Sequence, residues 1–276
     1  MNIVTLSRLV GAYGDIIATI VARRMALDLI GREELHEMAQ SYDPEYRDAC
    51  VLYEKEHGPG FFERLFFDRP SFYSLFEALT YDLASRGNVV LVGRGAQIVL
   101  RDMPGVFRAR IVAPTSIRIT RIMGRYNFTR EEAEAFVSKY DHTRDNLVRS
   151  IFHKDINDWS LYDIVVNTAN FTASSASEIV IDAVDEIQKV PDELALREKL
   201  RNMALAKRVE SSVRRKLSST AVRNVEITAD SAGLIRITGR VRSEQEKEAV
   251  EEIVSGHSEA VKVENELMVM GFSYGP

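Results

Sequence analysis

Four short apolar runs, separated by helix-like segments, constrain this fold more than any other feature of the chain. They are Ile3-Val4-Thr5-Leu6, Val89-Val90-Leu91-Val92, Ala109 to Ala113, and Asp163-Ile164-Val165-Val166. Runs of this length without polar alternation suit strands covered on both faces, and the helices between them supply the crossovers that parallel strands need. After the first run, a turn from Gly11 to Gly14 leads to Ile16, Ile17, Ile20, Val21 and Met25 at helical spacing. The third stops at Pro114 and opens a helix carrying Arg118, Arg121 and Arg125. Thr129 with Glu132 makes a capping box for a helix running towards Arg149, and Ser175 with Glu178 is expected to cap the helix after the fourth run. From about Arg32 to Ala84 no such strand occurs. That stretch reads as a helical insertion, with an aromatic cluster from Phe61 to Phe76.

At 276 residues the chain is long enough for about two domains. Hydrophobic residues at 45% and charged residues at 28% argue against disorder, and a net charge of −5 lacks the basic excess of a dedicated nucleic-acid binder. No window approaches the roughly twenty apolar residues of a membrane span. The first residues read as a strand rather than a leader, so a cytoplasmic protein is expected. A single cysteine, Cys50, cannot form an internal disulfide, and no Cys/His group has zinc spacing, so no protein-held metal is expected. After Pro191 the texture changes. Residues 191–206 read as a charged linker helix, and 207–270 as a separate unit. In that unit Val209, Val213 and Leu217 mark a helical face, and Val225 with Ile227 begins a strand. Ile235 and Ile237 alternate with polar residues up to Gly239, Ser243 with Glu246 makes another capping box, and Val261, Val263, Asn265, Leu267 and Val269 share one face of a last strand. The order α-β-β-α-β describes a small α+β domain.

The turn Ser7-Arg8-Leu9-Val10-Gly11-Ala12-Tyr13-Gly14-Asp15 is the main chemical signal. A glycine-containing turn between a buried strand and a helix exposes backbone N–H groups suited to a phosphate, and a plain strand-to-helix turn is its other reading. The lysine and hydroxyl of GxxxxGK[ST] are absent. Gly93-Arg94-Gly95 follows a buried strand, where open α/β sheets place ligands, and an arginine between glycines can approach an anion closely. Arg118 and Arg121 lie one turn apart and would converge on a second anion or line a solvated face. Lys139, Asp141 and Arg144 fall within two turns of one helix, as a surface ion pair or as part of a lid with Asp141 on a sugar hydroxyl and Arg144 on phosphate.

The segments VTLSRxxGxxGxxIA, NVVLVGRGAQIVLRD, RARIVAPTSIRITRIMGR, KYDHTR and DIVVNT occur in order over about residues 1–188, and together they resemble the cytidylate kinase-like family of P-loop nucleoside monophosphate kinases. The resemblance implies an α/β fold with a parallel five-stranded sheet, a helical NMP-binding insertion at about 32–84 and a lid at about 126–160, within a first domain of residues 1–190. It implies transfer of the ATP γ-phosphoryl group to CMP or dCMP, with Mg²⁺ accompanying ATP. Carried onto this chain, Ser7, Arg8, Gly11, Ala12 and Gly14 would hold the ATP phosphates, and Gly93, Arg94, Gly95, Asp141 and Arg144 would bind the acceptor nucleotide, Arg94 on its phosphate and Asp141 on its sugar. Arg118, Arg121, Lys139, Asp141 and Arg144 would form the lid, Asn167 and Thr168 would lie near adenine, and Arg8, Arg121 and Arg144 would be catalytic. Phosphoryl transfer needs two nucleotides held in line amid positive charge, which these arginines would supply in place of the missing lysine.

Three positions depart from the family pattern. Tyr13 stands where relatives usually have glycine, Asp15 where they have a basic residue, and Gly95 where an aspartate helps read cytosine. Residues 207–270 resemble a BON domain through DSAGLIRITGRVRSEQEKEAVEEI and AVKVENELMV, with Gly233, Gly239 and Asn265 in place. That resemblance implies a small ligand or phospholipid, and a regulatory or localising role; the basic run Arg214-Arg215-Lys216 would meet an anionic headgroup or simply solvent. Phe61, Phe62, Phe66, Phe67, Phe72, Tyr73 and Phe76 are expected to pack the insertion, and Trp159 to be a packing residue. Two other readings stand beside the kinase: a nucleotide-binding sensor or adaptor without turnover, motivated by Tyr13 and Asp15, and a protein whose working part is the BON unit. No nucleic-acid partner is expected, and the sequence leaves oligomer formation open.

Overall fold

The computed structural model describes residues 1–42, 47, 70–187, 192–217, 224–257 and 259–270. Cys50, His57 and the aromatic residues at 61, 62, 66 and 67 lie outside them. The chain divides into two compact units, one formed by Met1–His36 with Arg86–Glu193, the other by Glu37–Ser85 with Leu194–Pro276. Nearly all of the expected insertion, from Glu37 on, is thus grouped with the C-terminal residues.

In the first unit, the five strands β1 (Ile3–Arg8), β2 (Asp28–Ile30), β3 (Val89–Val92), β4 (Val106–Val112) and β5 (Ile164–Asn167) form one sheet in the order β2-β3-β1-β4-β5. Every pairing is parallel, with Leu6 beside both Val92 and Ala109. The four apolar runs account for four of these strands. The fifth, β2, is three residues long, at the edge, and carries no buried residue, so it leaves no apolar run to find. Helices α1 (Gly14–Arg24) and α7 (Ala173–Asp185) pack together beside the sheet, and Ile17, Val21, Val180 and Val184 join Val4, Leu6 and Ile111 in one core. Helix α2 (Arg32–Tyr42) and the one-turn helix α4 (Ala96–Val99) follow β2 and β3.

Helices α5 (Thr115–Tyr126) and α6 (Arg130–Phe152) pair through Ile119, Ile122, Ala133 and Val137. The expected capping box opens α6, with Thr129 Oγ1 accepting from the Glu132 N–H and the Glu132 carboxylate from the Thr129 N–H. At α7 the cap differs from expectation. Thr172 accepts from the Ser175 N–H, and Glu178 instead pairs with Arg24. Trp159 sits in a 3₁₀ turn and is 78% exposed, so it packs no core.

In the second unit, α3 (Pro70–Arg86) buries Phe72 and Phe76, as a core role for these aromatics requires. Helix α8 runs unbroken from Glu193 to Lys216, merging the expected linker with the helix after it. No glycine or proline interrupts residues 192–217, so nothing in the sequence ends the helix at the change of composition. Strands β6 (Val225–Ala229), β7 (Leu234–Val241) and β8 (Lys262–Val269) form a second sheet, antiparallel between β6 and β7 and parallel between β7 and β8. Helix α9 (Glu244–Ser255), capped by Ser243 on the Glu246 N–H, supplies the crossover that the parallel pair requires. Val209 and Val213 of α8, with Val250 and Val254 of α9, close this core over Ile235, Ile237 and Leu267. Among the described residues no helix is long and apolar enough to cross a membrane.

Candidate functional site

The strand order reverses around β1, and the carboxyl ends of β1, β3, β4 and β5 deliver side chains to one rim. Arg8 ends β1. Its side chain runs so close over Gly14 that an added Cβ there would fall 2.3 Å from Arg8 Cβ, and one at Gly93 would fall 2.4 Å from Arg8 Nη1. Glycine at both positions is therefore what lets an arginine lie between the first turn of α1 and the loop after β3. Arg8 Nε donates to Asp15 Oδ1 at 2.9 Å. Asp15 is well exposed, so this pair contributes little stability but fixes the direction of the guanidinium.

After β3, Gly93, Arg94 and Gly95 all adopt positive φ, at 81°, 58° and 76°. Three successive left-handed residues make a tight turn, and Arg94 holds its place there against the steric preference of a β-carbon. At Gly95 the ring of Phe152, from the end of α6, lies within 2.2 Å of where a Cβ would be. Any side chain at 95 would collide with it. The glycine at this position therefore brings an aromatic ring to a place where the resemblance would have put an aspartate.

The phosphate-loop turn is itself strapped. Tyr13 caps α1 in the left-handed conformation, and the Arg121 guanidinium stacks on its ring at 3.7 Å. Arg121 Nη1 donates to Gly11 O and to Thr168 Oγ1, and its Nη2 donates to Thr168 O at 2.7 Å. Thr168 is fully buried and its hydroxyl donates on to Ala12 O, so the turn after β1 is tied to the end of β5. Asn167 is exposed and accepts from the Ala169 N–H.

Arg118 and Asp141, both expected in the lid, are bonded to each other in the structure. Arg118 Nη1 and Nη2 grip the Asp141 carboxylate at 3.1 and 2.7 Å, its Nε donates to Ala113 O, and the remaining two N–H groups reach Val10 O and Thr115 Oγ1. All five donors are used within the protein. Arg118 is thus a strut that holds α6 against the loop, and it does not converge with Arg121 on an anion. Lys139 is exposed on α6.

Arg144 and Arg110 behave differently. Arg144 Nη1 donates to the backbone carbonyl of Arg8 at 2.6 Å. Burial, followed by repulsion from Arg8, lowers its pKa to about 10. Arg110, in the middle of β4, is 3% exposed and donates to Ser7 Oγ at 2.9 Å, Tyr162 Oη at 3.2 Å and Asn157 Oδ1 at 3.1 Å. Every one of these partners is neutral. Among the described residues neither Arg110 nor Arg144 makes an ion pair. Two guanidinium groups withdrawn from water without a carboxylate are costly unless an anion joins them, and a phosphate offers the oxygens to do so. Arg110 is hidden in the sequence by its apolar neighbours Ala109 and Ile111; two arginines at alternate positions of a buried strand, Arg108 and Arg110, are the signal that marks it, and only Arg108 meets a carboxylate, that of Asp163, among the described residues.

The cytidylate kinase-like family model matches residues 3–170. The cytidylate kinase of Pyrococcus horikoshii is 28% identical over 118 residues, covering 43% of this chain and 60% of that protein. That of Methanoregula boonei is 23% identical over 193 residues, covering 68% of this chain and 97% of its own length. The chain thus spans about 60% of the length of some curated relatives and nearly all of others. An uncharacterized protein from Eubacterium ventriosum shares the fold at 20% identity, with a TM-score of 0.51 over 67% of this chain and 99% of its own. With the family model spanning more than half of its length and an arginine-lined rim at the carboxyl ends of its parallel sheet, the chain belongs to the cytidylate kinase-like family.

Proposed function

We propose that the protein is an ATP-dependent nucleoside monophosphate kinase that transfers the γ-phosphoryl group of ATP to CMP or dCMP. The observation that carries this reading is the buried Arg110 with the half-buried Arg144, neither of which has a carboxylate partner among the described residues. In this reading the Gly11–Gly14 backbone and Arg8 hold the ATP phosphates, while Arg94 in its left-handed turn holds the acceptor phosphate. Arg144 and Arg110 face the phosphoryl group in transit. An acceptor phosphate oxygen forms a bond to Pγ as the Pγ–O bond to the β-phosphate breaks, and ADP leaves with the electron pair. The arginines bind the charge spread over the three equatorial oxygens, which is most of the catalysis this reaction requires. Arg118 positions Asp141 and α6, and Arg121 holds the loop while its Nε N–H stays available to a nucleotide.

Magnesium fits this site as a passenger of the nucleotide. The donor set is made of guanidinium groups, with Asp15 and Asp141 already bound to Arg8 and Arg118, so the ion would be held by the nucleotide and would supply positive charge to its phosphates. Phe152 over Gly95 would present a ring to the acceptor base in place of a hydrogen-bonding carboxylate. Stacking of this kind tolerates several bases, so dCMP, CMP and UMP are expected to differ little as acceptors.

A second reading, a nucleotide sensor without turnover, is favoured by the Tyr13–Arg121 stack and the Arg8–Asp15 pair, which hold the loop shut around its own side chains. The C-terminal unit is read as a BON domain on its α-β-β-α-β order, with a role in regulation or ligand binding. ADP formation from ATP and Mg²⁺ against CMP, dCMP, UMP, AMP, GMP and no acceptor, with thermal shift on the same samples, separates the readings. Acceptor-dependent turnover supports the kinase. Stabilisation by nucleotide without turnover supports the sensor, and silence in both rejects the site.

A further inference from the structure

Strand β6 lies at one edge of the three-stranded sheet and, among the described residues, pairs only with β7. The register fixes which of its backbone groups are used. Arg240 N donates to Asn224 O, and Asp230 N to Leu234 O, so the hydrogen-bonded pairs on either side of β6 are 224 with 240 and 230 with 234. Alternation along an antiparallel ladder then gives Glu226 and Thr228 their bonds to β7. The N–H and C=O groups of Val225, Ile227 and Ala229 point the other way, and among the described residues none of them has a partner. Buried backbone groups are rarely left so, and Ile227 is 7% exposed.

That edge opens onto a cleft of about 750 Å³ within the second unit. All five consecutive residues of β6 line it, together with one face of α8 from Ala195 to Arg214. A cleft over one face of a strand would meet every second residue. Meeting all five means that it runs along the edge, where the backbone is. The helical wall carries an apolar stretch at Ala195, Met203 and Ala206. Its charges balance, with Lys199, Lys207 and Arg214 against Glu198, Glu210 and Glu226 of the facing strand. The cations Lys207 and Arg214 are already bonded to Glu210, so the wall attracts neither sign.

We propose that this cleft binds an extended, uncharged peptide segment of about five residues, which adds as a strand to the free edge of β6. Its backbone satisfies the open groups of Val225, Ile227 and Ala229, and its apolar side chains face Met203 and Ala206. The length follows from β6, and the absence of net charge from the balanced wall.

The test pans a phage-displayed random heptapeptide library on the full-length protein and measures the enriched peptide, synthesised with a fluorophore, by anisotropy. Ala229→Pro removes one open N–H at an edge position that tolerates proline, and Met203→Glu puts a charge on the helical wall. Each is expected to weaken binding by at least about tenfold, with circular dichroism unchanged. Amide exchange should slow on binding at Val225, Ile227 and Ala229. If Ala229→Pro does not fold, Met203→Glu and the exchange pattern decide. Failure to enrich any peptide, unchanged affinity in the folded variants, protection away from β6, or protection that grows with protein concentration alone would overturn the proposal, the last by showing a second copy of the chain at this edge.

Discussion

Two clusters of withdrawn charge in this molecule are built in opposite ways. In the second unit Lys207 bonds both Glu77 and Glu210, at 3.0 and 2.9 Å, and Arg214 bonds Glu210 at 2.6 Å, so two cations meet two carboxylates. Burial works against the Lys207 ammonium, yet Glu77 and Glu210 outweigh it and raise its pKa. In the first unit, Arg110 and Arg144 have only neutral partners among the described residues, and burial pulls the pKa of Arg144 down to about 10. A closed set of charges holds a protein together. An open set of one sign would hold a place for something that arrives with the other sign, and this difference is the physical basis for reading the first as architecture and for proposing phosphate at the second.

The comparison can be broken by making the same kind of change in both places. Removing Arg144 should have the largest effect. Arg144→Met is expected to lower kcat by about 10²–10³, as loss of a single donor to developing charge does, while raising the stability of the unliganded protein by about 1 kcal/mol because a lone buried cation is gone. Lys207→Met should do the reverse to stability, costing roughly 2–3 kcal/mol by leaving two carboxylates without their cation. Its pH dependence follows from Glu77, whose pKa burial already raises above its ordinary 4.5, with Lys207 partly opposing the shift. Without Lys207 that pKa rises further. A carboxyl with a raised pKa contributes stability that is complete below 4.5 and lost as pH climbs through the folded value, so the melting-temperature gap to wild type should widen from pH 4.5 to 7.5.

Asp141→Asn sharpens the assignment of Arg118. If the pair is a strut, the variant loses about 2 kcal/mol in denaturant unfolding, and KM for the acceptor changes less than the stability does. A large KM effect with stability intact would return Asp141 to the sugar. The smallest change is expected at Arg130 and Glu134, an exposed pair on α6, where Glu134→Gln should move unfolding by no more than about 0.5 kcal/mol.

The sequence carried the parallel sheet because buried strands cannot hide their apolar runs, and it lost β2 because a three-residue edge strand with Asp28 in it has none. Caps were legible where the reciprocal box is complete, at Thr129, and misplaced at Ser175, where Thr172 stood at the better distance from the first turn. Arg8 does lie between Gly14 and the Gly93 end of Arg94's turn, since adjacency of strand ends follows from sheet order. Arg118 with Asp141 was out of reach, as nothing in residue types 23 positions apart tells a strut from two separate ligand contacts. Arg110 was missed because a search for apolar strands treats the two arginines of β4, Arg108 and Arg110, as noise.

The most direct test compares melting temperatures of wild type and Arg144→Met, each alone, with ATP and Mg²⁺, and with CMP. For wild type, ligand at a hundred times its Kd should add about 2.7 kcal/mol. The account predicts that the unliganded variant melts above wild type and gains much less from ATP or CMP. A variant that melts at or below wild type and keeps the full ligand-induced rise would contradict it, because Arg144 would then be neither an uncompensated charge nor a phosphate ligand.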